Sequence, residues 1–500
     1  SRVLIANRGE IAIRIAKTCR KLGIKPFGIY SEADRESLHI KYCDEAVNIG
    51  GSLPLESYLC VDKVIDSANR LGCDMIHPGY GFLSESSSFV KRCEKERFIF
   101  VGPSVDVMAI SGDKVRTKRA ASKVAPVVDG DEVSNEEEAF SLIDKIGYPV
   151  ILKAVEGGGG RGLRILRSAE EIQERFASAQ AESMMSFGSG RVYIERYLEN
   201  PKHIEVQIVA DSSDVIQLGE RECSIQRRHQ KLIEETPSAA LTHETRAVIL
   251  RTAVAIMKEI GYDSAGTVEF LFKDNNFYFM EINARIQVEH PITEVVTGVD
   301  IVEQQLRAAS GNGISINQET ILPEGHAIEC RINAEHPLSF APYLGKVKEF
   351  VTPEGQGIRV DSALYPGYSI PQFYDSLIAK LICYGSDRMK AIERMKFSLS
   401  VLRISGIPTS IPFHISALND IRFIDGSYNT SFVDKVKPYS AEDGELAAAV
   451  LSALAKSTEL AVGYKKRKLE KDADYDPWNV SRFDWADPYD THHRFSSLSS

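Results

Sequence analysis

The sequence has few features of secreted, membrane or nucleic-acid-binding proteins. Its eight cysteines are scattered through 500 residues without a Cys-x-x-Cys pair, which argues against a disulfide scaffold or a thiolate metal site. No run approaches the roughly 18 apolar residues that a membrane span needs. A formal net charge of -10 provides no global attraction to nucleic acid or anionic lipid. We therefore expect reduced, mostly buried thiols, and any anion site must be local.

Composition and length indicate a large globular protein. The chain is 43% hydrophobic and 26% charged, as in ordinary globular proteins. A length of 500 residues exceeds what one hydrophobic core usually serves, so several domains are predicted. The first residues, Ser1–Ala6, begin a strand at once and leave no room for a signal peptide, so we expect a cytoplasmic protein.

The first hundred residues alternate short apolar runs with helical patterns, which predicts a parallel sheet wrapped by helices. The turn after the first strand contains only Gly9, so it lacks the Gly-x-Gly-x-x-Gly of a dinucleotide site. The segment His77–Glu85 directly follows another strand, where such sheets usually place ligands. A structural turn explains that segment equally well.

The glycine-rich run Lys153–Gly162 contains four consecutive glycines. These glycines bury nothing and lose much conformational freedom on folding, so close approach of the backbone to a ligand is the better explanation. Lys153 and Arg161 flank backbone N–H groups, which favours phosphate, but no Gly-Lys-Ser/Thr follows, so this is not a Walker loop. We predict a nucleotide-phosphate site in a mobile lid at about residues 129–197, with a plain flexible hinge as the alternative.

The segments Thr267–Lys273 and Phe277–Asn283 are predicted to be antiparallel strands joined by the three-residue loop Asp274–Asn276. This loop pairs residue 273 with 277 and therefore Glu269 with Glu281, and Asn283 shares their face. Opposed like charges destabilise a strand pair unless a cation lies between them. Because two carboxylates and an amide oxygen are hard ligands that suit Mg²⁺, these three residues are predicted metal ligands.

The polar alternation continues beyond this pair. Arg285, Gln287 and Glu289 have the same parity as Glu281, which predicts one polar strand face, although a solvated face is the usual cause of alternation. A further cluster, Gln226–Lys231, packs cationic or titratable side chains between apolar flanks. Such density repels itself unless an anion is bound, and a solvated basic loop is the alternative.

Together, these segments resemble the biotin carboxylase family of ATP-grasp enzymes. The resemblance runs from Arg2 to about Lys437 and rests on the motifs Ala6–Ala12, His77–Glu85, Gly112–Lys114, the glycine run, Gln226–Lys231, Arg285–His290, Glu329–Glu335 and Tyr374–Ser376. It implies a multidomain α/β and α+β fold. The expected parts are an N-terminal Rossmann-like pre-ATP-grasp domain at 1–110, an ATP-grasp domain at 111–325, a biotin carboxylase C-terminal domain at 326–437, and a helical and irregular tail at 438–500.

The family's reaction phosphorylates bicarbonate with ATP and transfers CO2 from carboxyphosphate to N1' of biotin, as a ligase that forms a C–N bond. The resemblance implies ATP and Mg²⁺ or Mn²⁺ as cofactors, with biotin on a separate carrier. It assigns the nucleotide to Lys114, Lys153, Gly158, Gly159, Gly160, Glu195, Tyr197, Leu198, His203, Gln226, His229, Glu269 and Glu281. It assigns bicarbonate and biotin to Lys231, Arg285, Gln287, Val288, Glu289, Arg331 and Tyr80.

Four of these residues are implied to be catalytic: Lys231, Arg285, Glu289 and Arg331. Glu289 would be the general base on bicarbonate, and Arg331 would stabilise the biotin enolate. Three features depart from the family pattern: Glu156 replaces a small residue, the connection at 124–129 lacks its usual glycine, and the tail has no counterpart in the minimal enzyme.

No Met-Lys-Met biotin-acceptor motif occurs, because Met395-Lys396 is followed by Phe397 on an amphipathic pattern. We therefore expect a biotin carboxyl carrier protein and a carboxyltransferase subunit on other chains, with a homodimer or larger hetero-oligomer. The tail contains Trp478 and Trp485, and we predict that it docks a partner subunit.

The favoured interpretation is the first half-reaction of an acetyl-CoA or propionyl-CoA carboxylase. The alternatives are the biotin carboxylase subunit of a two-subunit pyruvate carboxylase, another ATP-grasp carboxylate ligase, and a catalytically silent assembly subunit. The Arg285–His290 segment together with Arg331 argues against another ligase, and the full set of predicted site residues argues against a silent subunit.

Overall fold

The computed structural model describes residues 1–154, 164–187 and 191–436. Gly158, Gly159, Gly160 and the unusual Glu156 lie outside these described residues, as does the tail from residue 437. The phosphate-binding loop and the docking tail therefore stay predictions.

The N-terminal part is a five-stranded sheet in which every neighbouring pair of strands is parallel. Its elements are β1 (Arg2–Ile5), α1 (Gly9–Lys21), β2 (Lys25–Tyr30), β3 (Glu45–Asn48), α2 (Val61–Arg70), β4 (Met75–His77), α3 (Ser87–Lys95), β5 (Ile99–Phe100) and α4 (Val105–Ser111). The strand order is β3-β2-β1-β4-β5. Ile11, Ile15 and Cys19 of α1 are buried, as the helical pattern predicted. The predicted parallel sheet is thus confirmed.

A smaller four-stranded antiparallel sheet follows, in the order β6-β9-β7-β8. This part consists of α5 (Lys114–Ala121), β6 (Gly130–Val133), α6 (Glu136–Ile146), β7 (Val150–Ala154), β8 (Arg164–Leu166), α7 (Ile172–Phe187) and β9 (Val192–Arg196). The predicted sequence of helix, strand, strand, helix and strand is present. The short strand β6, which pairs with β9, was not predicted.

The largest sheet has eight antiparallel strands and carries most of the polar side chains discussed below. The remaining elements begin with β10 (Lys202–Ala210), β11 (Val215–Arg227), β12 (Gln230–Thr236), α8 (His243–Glu259), β13 (Ala265–Lys273), β14 (Asn276–Asn283), α9 (His290–Thr297) and α10 (Ile301–Ala309). They continue with β15 (His326–Asn333), β16 (Glu349–Val351), β17 (Ile358–Ser362), β18 (Leu377–Gly385), α11 (Arg388–Val401), β19 (Arg403–Ser405), α12 (Ile411–Asn419), α13 (Ile421–Ile424) and α14 (Phe432–Lys435).

The strand order of this sheet is β14-β13-β10-β11-β12-β15-β18-β17. Strands from both sides of residue 325 therefore lie in one sheet, with β12 hydrogen-bonded to β15. The proposed boundary between the ATP-grasp and C-terminal domains falls between two neighbouring strands.

Packing agrees with two minor predictions. All eight cysteines are free, and seven of them are buried. Met395 is completely buried on α11 and Lys396 is half-buried, which agrees with the predicted structural role of this pair on an amphipathic helix. Within the described ranges, no helix is long and apolar enough to cross a membrane.

The hairpin of β13 and β14 confirms the predicted pairing of two glutamates but differs from the prediction in the length of its turn. Glu269 is paired with Glu281, as predicted, but the turn has two residues, Asp274-Asn275, and Lys273 pairs with residue 276 rather than 277. Both turn residues have positive φ, 51° and 61°, which suits the twist of a tight hairpin. A bulge between Phe270 and Glu269 then inserts one residue on β14 and restores the predicted pairing.

Candidate active site

Glu269 and Glu281 face each other across β13 and β14. Burial and the charge of Glu269 raise the pKa of Glu281. Asn283 lies two residues along β14 and donates from Nδ2 to Glu269 Oε1 at 2.9 Å. The three predicted metal ligands therefore lie together as hard oxygen donors. A divalent cation would relieve the repulsion that raises the pKa of Glu281, so the donor set fits such an ion.

Lys231 on β12 contacts three carboxylates. Its Nζ lies 3.0 Å from Glu269 Oε1 and 2.6 Å from Glu289 Oε1, and it also donates to Glu205. Burial lowers the pKa of Lys231, but the surrounding anions outweigh this effect and raise the pKa well above its ordinary value. Lys231 is therefore a fixed cation that links the paired carboxylates to Glu289.

The cluster Gln226–Lys231 forms a hairpin, and the expectation that its charges bind an anion stays a prediction. Strands β11 and β12 are joined by the two-residue turn Arg228-His229, whose φ values are 49° and 65°. Arg227 lies 4.6 Å over the ring of Phe340, whereas Lys231 reaches the buried carboxylates. These contacts of Arg227 and Lys231 relieve part of the repulsion within the cluster.

Glu289 has both carboxylate oxygens in ion pairs. Oε1 accepts from Lys231, and Oε2 accepts from Arg331 Nη2 at 3.0 Å. Burial raises the pKa of Glu289, but the charges of Lys231 and Arg331 outweigh it and hold the pKa below its usual range. Arg331 Nε also donates to Glu234 Oε1 at 2.6 Å. Glu289 is thus an ionised carboxylate between two cations, and Arg331 is held by two glutamates.

Arg221 was not singled out from the sequence, yet its guanidinium is fully buried beside Lys231. Nε donates to Glu205 Oε1 at 2.5 Å, and Nη2 donates to Gln287 Oε1 at 2.8 Å. Gln287 Nε2 in turn donates to Glu269 Oε1 at 2.8 Å. The sequence signal was the charged triplet at 220–222 within an apolar strand, because buried charges need partners.

His203 and Glu205 lie on β10, beside β13. His203 Nε2 is 2.9 Å from Glu269 Oε2, and ligand-type atoms of His203, Glu205 and Glu269 lie within 4.8 Å of one another. Arg221 and Lys231 already neutralise Glu205. The side of Glu269 that faces Glu281 is therefore the better position for a divalent cation.

The predicted strand alternation beyond Asn283 was wrong. Strand β14 ends at Asn283, and residues 284–289 form a loop that leads into α9, which has proline in its first turn. Arg285 Nη2 donates to Asn283 Oδ1 at 3.1 Å, and its Nε lies 3.1 Å from Glu85 Oε2. Lys380 Nζ donates to the carbonyl of Val288 at 2.9 Å. These contacts hold the loop so that its polar side chains still reach the cluster.

The segment His77–Glu85 has a structural role and also contributes to the site. Asn7 Nδ2 donates to the carbonyls of Pro78 and Tyr80, both at 2.7 Å, and so fixes the turn. The Tyr80 hydroxyl donates to Glu10, which accepts from the buried Lys380 at 3.1 Å. Tyr80 is therefore connected through Glu10 and Lys380 to the loop that carries Glu289.

The predicted nucleotide residues lie on the neighbouring elements α5, β7 and β9. Lys153 donates to Glu195, and Lys118 Nζ lies 3.2 Å from Glu195 Oε2. Burial raises the pKa of Glu195, but the two lysines lower it below its usual value. The pKa of Lys114 is lowered, because the effect of burial exceeds the opposing effect of the Glu281 charge. Lys118 was missed, although it follows Lys114 by one helical turn.

The other predicted nucleotide residues lie at the edges of this cluster. Gln226 is opposite Lys231 in register. Burial and the charges of Lys153 and His203 lower the pKa of His229, which places the hairpin turn close to both. Tyr197 and Leu198 follow β9, and the Tyr197 amide donates to a backbone carbonyl before β7 at 2.9 Å.

Three families match successive parts of the chain. Residues 1–108 match "Biotin carboxylase, N-terminal domain", residues 113–317 match "Carbamoyl-phosphate synthase L chain, ATP binding domain", and residues 329–435 match "Biotin carboxylase C-terminal domain". The fold and these matches define an ATP-dependent ligase with a three-domain architecture.

Similar proteins extend these matches over most of the chain. A pyruvate carboxylase subunit of Methanothermobacter thermautotrophicus is 50% identical, over 87% of this chain and 90% of that protein. Biotin carboxylase 1 of Bacillus subtilis is 49% identical, over 87% and 98%. The biotin carboxylase domain dimer of Hydrogenobacter thermophilus 2-oxoglutarate carboxylase, solved with MgADP, ADP and bicarbonate, has a TM-score of 0.84 and 46% identity, over 87% of this chain and 97% of that one. The chain belongs to the biotin carboxylase family, as the motifs predicted.

Proposed function

We propose that the chain carboxylates biotin on a carrier protein, using ATP, Mg²⁺ or Mn²⁺, and bicarbonate by way of carboxyphosphate. One observation carries this proposal. Lys231 contacts both Glu269 of the opposed pair and Glu289, which is itself paired with Arg331. One buried cluster therefore connects the carboxylates proposed to bind the metal, the cation Lys231, the proposed base Glu289 and the second cation Arg331.

The nucleotide and metal belong beside Glu269 and Glu281. These carboxylates and Asn283 would hold the divalent cation, which when bound supplies positive charge to the phosphate oxygens. Lys114 and Lys153 add cations on the same side of the site. The Hydrogenobacter protein, bound to MgADP and bicarbonate, supports this assignment by similarity.

Bicarbonate would bind between Arg285, Lys231 and the backbone at Val288, with Gln287 completing the pocket. Arg285 presents a forked guanidinium suited to a planar oxyanion. A bicarbonate oxygen then attacks the γ-phosphorus of ATP, ADP leaves, and Glu289 accepts the bicarbonate proton. Glu289 is ionised and so can accept it, and partial release from Lys231 on bicarbonate binding would raise its basicity.

Arg331 would act on biotin. Its guanidinium can donate to the ureido oxygen and stabilise the negative charge that develops as N1' loses its proton. Carboxyphosphate breaks its C–O bond to give CO2 and phosphate, the released phosphate accepts the N1' proton, and N1' then forms its bond to CO2. Tyr80, whose hydroxyl donates to Glu10, lies near Arg331, because the charge of Arg331 acts to lower the pKa of Tyr80 against the effect of burial.

The finer proposal concerns the final acceptor. We infer a small acyl-CoA, acetyl-CoA or propionyl-CoA, with a biotin carboxyl carrier and a carboxyltransferase as partner chains and at least a homodimer. The 50% identity to the Methanothermobacter pyruvate carboxylase subunit favours a 2-oxo acid carboxylase as the second candidate. Isolation of the complex and identification of the acid carboxylated by it decides between them.

The first half-reaction can be tested with the full chain alone. We expect ATP hydrolysis to require both bicarbonate and Mg²⁺ and to rise when free biotin is added. Equal hydrolysis without bicarbonate would contradict the proposal. Glu289→Gln, which keeps the side-chain shape, should lower the bicarbonate-dependent rate by about 100-fold or more while thermal unfolding remains cooperative.

A further inference from the structure

Next to Arg331, strands β12 and β15 of the eight-stranded sheet contain a second opposed pair of glutamates. Glu234 on β12 and Glu329 on β15 are direct partners in register, and both are fully buried. Side chains of directly opposed residues lie on the same face of a sheet. The two carboxyl groups are therefore forced into proximity, with no access to bulk water.

Three of the four oxygens in this pair lack a partner within the described part of the chain. Glu234 Oε1 accepts from Arg331, but neither Glu234 Oε2 nor either oxygen of Glu329 has a hydrogen-bonding partner among the described residues. Ionised carboxylates almost always accept hydrogen bonds when buried. Two negative charges at this position would repel each other without compensation.

The nearby cations are already committed to other groups. On β12, Lys231 contacts Glu289 and two other carboxylates. On β18, Lys380 donates to a loop carbonyl and to Glu10 of α1. On β15, Arg331 is shared between Glu234 and Glu289. Glu329 therefore receives no ion pair from any residue that the structure describes, although these charges surround it.

We propose that Glu234 and Glu329 share one proton at neutral pH, and that this pair is a positioning device that holds Arg331 while limiting the negative charge beside it. Glu234 carries the anionic charge because it accepts from the guanidinium, and Glu329 carries the proton. Burial raises the pKa of Glu329 well above its usual value and raises that of Glu234 only to about 7, so the proton is held more tightly on Glu329.

The importance of the pair for catalysis rests on the proposed function of Arg331. When the pair carries only one negative charge, the charge of Arg331 is not fully offset by the pair and can still attract an anionic ligand. Loss of the proton at alkaline pH would place a second negative charge beside the guanidinium and weaken that potential. Because the folded-state pKa is raised, the pair should also reduce stability as pH rises above the ordinary glutamate range.

The first test detects the proton directly and does not depend on activity. Infrared spectra of the full chain should contain a carbonyl band from a protonated carboxyl group that Glu329→Gln removes. The control is Glu235→Gln, the neighbouring buried carboxylate, because His326 and Arg388 outweigh burial and lower its pKa to about 2. Loss in Glu329→Gln and retention in Glu235→Gln supports the proposal. An unchanged band in Glu329→Gln overturns it.

The second test measures the pH dependence of biotin carboxylation. Glu329→Gln mimics the protonated side chain, so its rate of biotin carboxylation at neutral pH should fall less than about threefold. The decrease in rate at alkaline pH should move to higher pH or disappear. Glu329→Ala, which loses the shape, should be slower than Glu329→Gln. A wild-type alkaline limb in Glu329→Gln, or a loss of about 100-fold at neutral pH, overturns the proposal. If wild-type protein itself lacks bicarbonate-dependent activity, the proposed function fails, while the infrared result still decides the proton.

Discussion

Two opposed glutamate pairs lie in the same eight-stranded sheet, and their surroundings differ. Glu269 and Glu281 are accompanied by Asn283, Lys231 and His203, so their oxygens have donors and cations nearby. Glu234 and Glu329 have one shared cation, Arg331, and three oxygens without a partner among the described residues. We propose two solutions to this like-charge repulsion: a divalent cation that binds at the first pair and a proton that is retained at the second.

The largest effect is expected from Lys231→Met. This change removes the cation that contacts Glu269 of the first pair together with Glu205 and Glu289. Leaving buried charges unpaired should lower the free energy of unfolding by about 3 to 5 kcal/mol and abolish bicarbonate-dependent ATP hydrolysis. Urea unfolding and a coupled ATPase assay measure both. The control is Lys95→Met on the exposed side of α3. Equal stability of the two variants contradicts the role of Lys231.

Arg331→Lys tests the cation at the second pair. It keeps the charge but loses the fork that contacts Glu234 and Glu289, so biotin carboxylation should fall about 100-fold. Bicarbonate-dependent ATP hydrolysis without biotin should change much less. Parallel loss of both activities would show that Arg331 does not act selectively on biotin.

Glu281→Gln distinguishes the two pairs by their metal dependence. It should raise the Mg²⁺ concentration needed for half-maximal ATP hydrolysis by about tenfold or more, because a ligand is lost. Removal of like-charge repulsion should also stabilise the metal-free protein by up to about 1 kcal/mol. Glu329→Gln should leave the Mg²⁺ requirement unchanged. A similar metal dependence in both variants would remove the distinction.

The smallest effect concerns acid stability. The pKa of Glu269 is held well below its usual value, since Lys231 and His203 outweigh burial, and that of Glu289 is lowered by Lys231 and Arg331. Their stabilising effect is present above the ordinary glutamate range and is lost as pH falls through the lowered pKa values. Between pH 7 and pH 4, Glu289→Gln should therefore lose about 1 kcal/mol less unfolding free energy than wild type. Identical pH dependence of urea unfolding would contradict this.

The sequence predicted the N-terminal parallel sheet and the hairpin with the first glutamate pair, but the second pair was not found. Glu269 and Glu281 belong to one hairpin, so local strand pairing was sufficient, although the predicted loop was one residue too long and the bulge compensated for it. Glu234 and Glu329 become neighbours only when β12 pairs with β15, far apart in the chain.

The same reason explains the other residues that were missed. Lys380 looks like an isolated charge within a strand, and Arg221 belongs to a charged triplet, but the partners of both come from distant elements. The alternation through Glu289 predicted which side chains converge but not how, because a loop held by Lys380 replaces the expected strand. Periodicity indicates a face, whereas long-range ion pairs require the tertiary structure.

The most direct test of the proposed reaction follows oxygen atoms from bicarbonate. The full chain is incubated with ATP, Mg²⁺ and ¹⁸O-labelled bicarbonate, and the released phosphate is examined by mass spectrometry. Attack of bicarbonate on the γ-phosphorus predicts one labelled oxygen in each phosphate, because the bridging oxygen stays with phosphorus when CO2 is released. Phosphate without the label would show that water attacks ATP instead, and it would contradict the assignment of Lys231, Arg285 and Glu289 to a bicarbonate site.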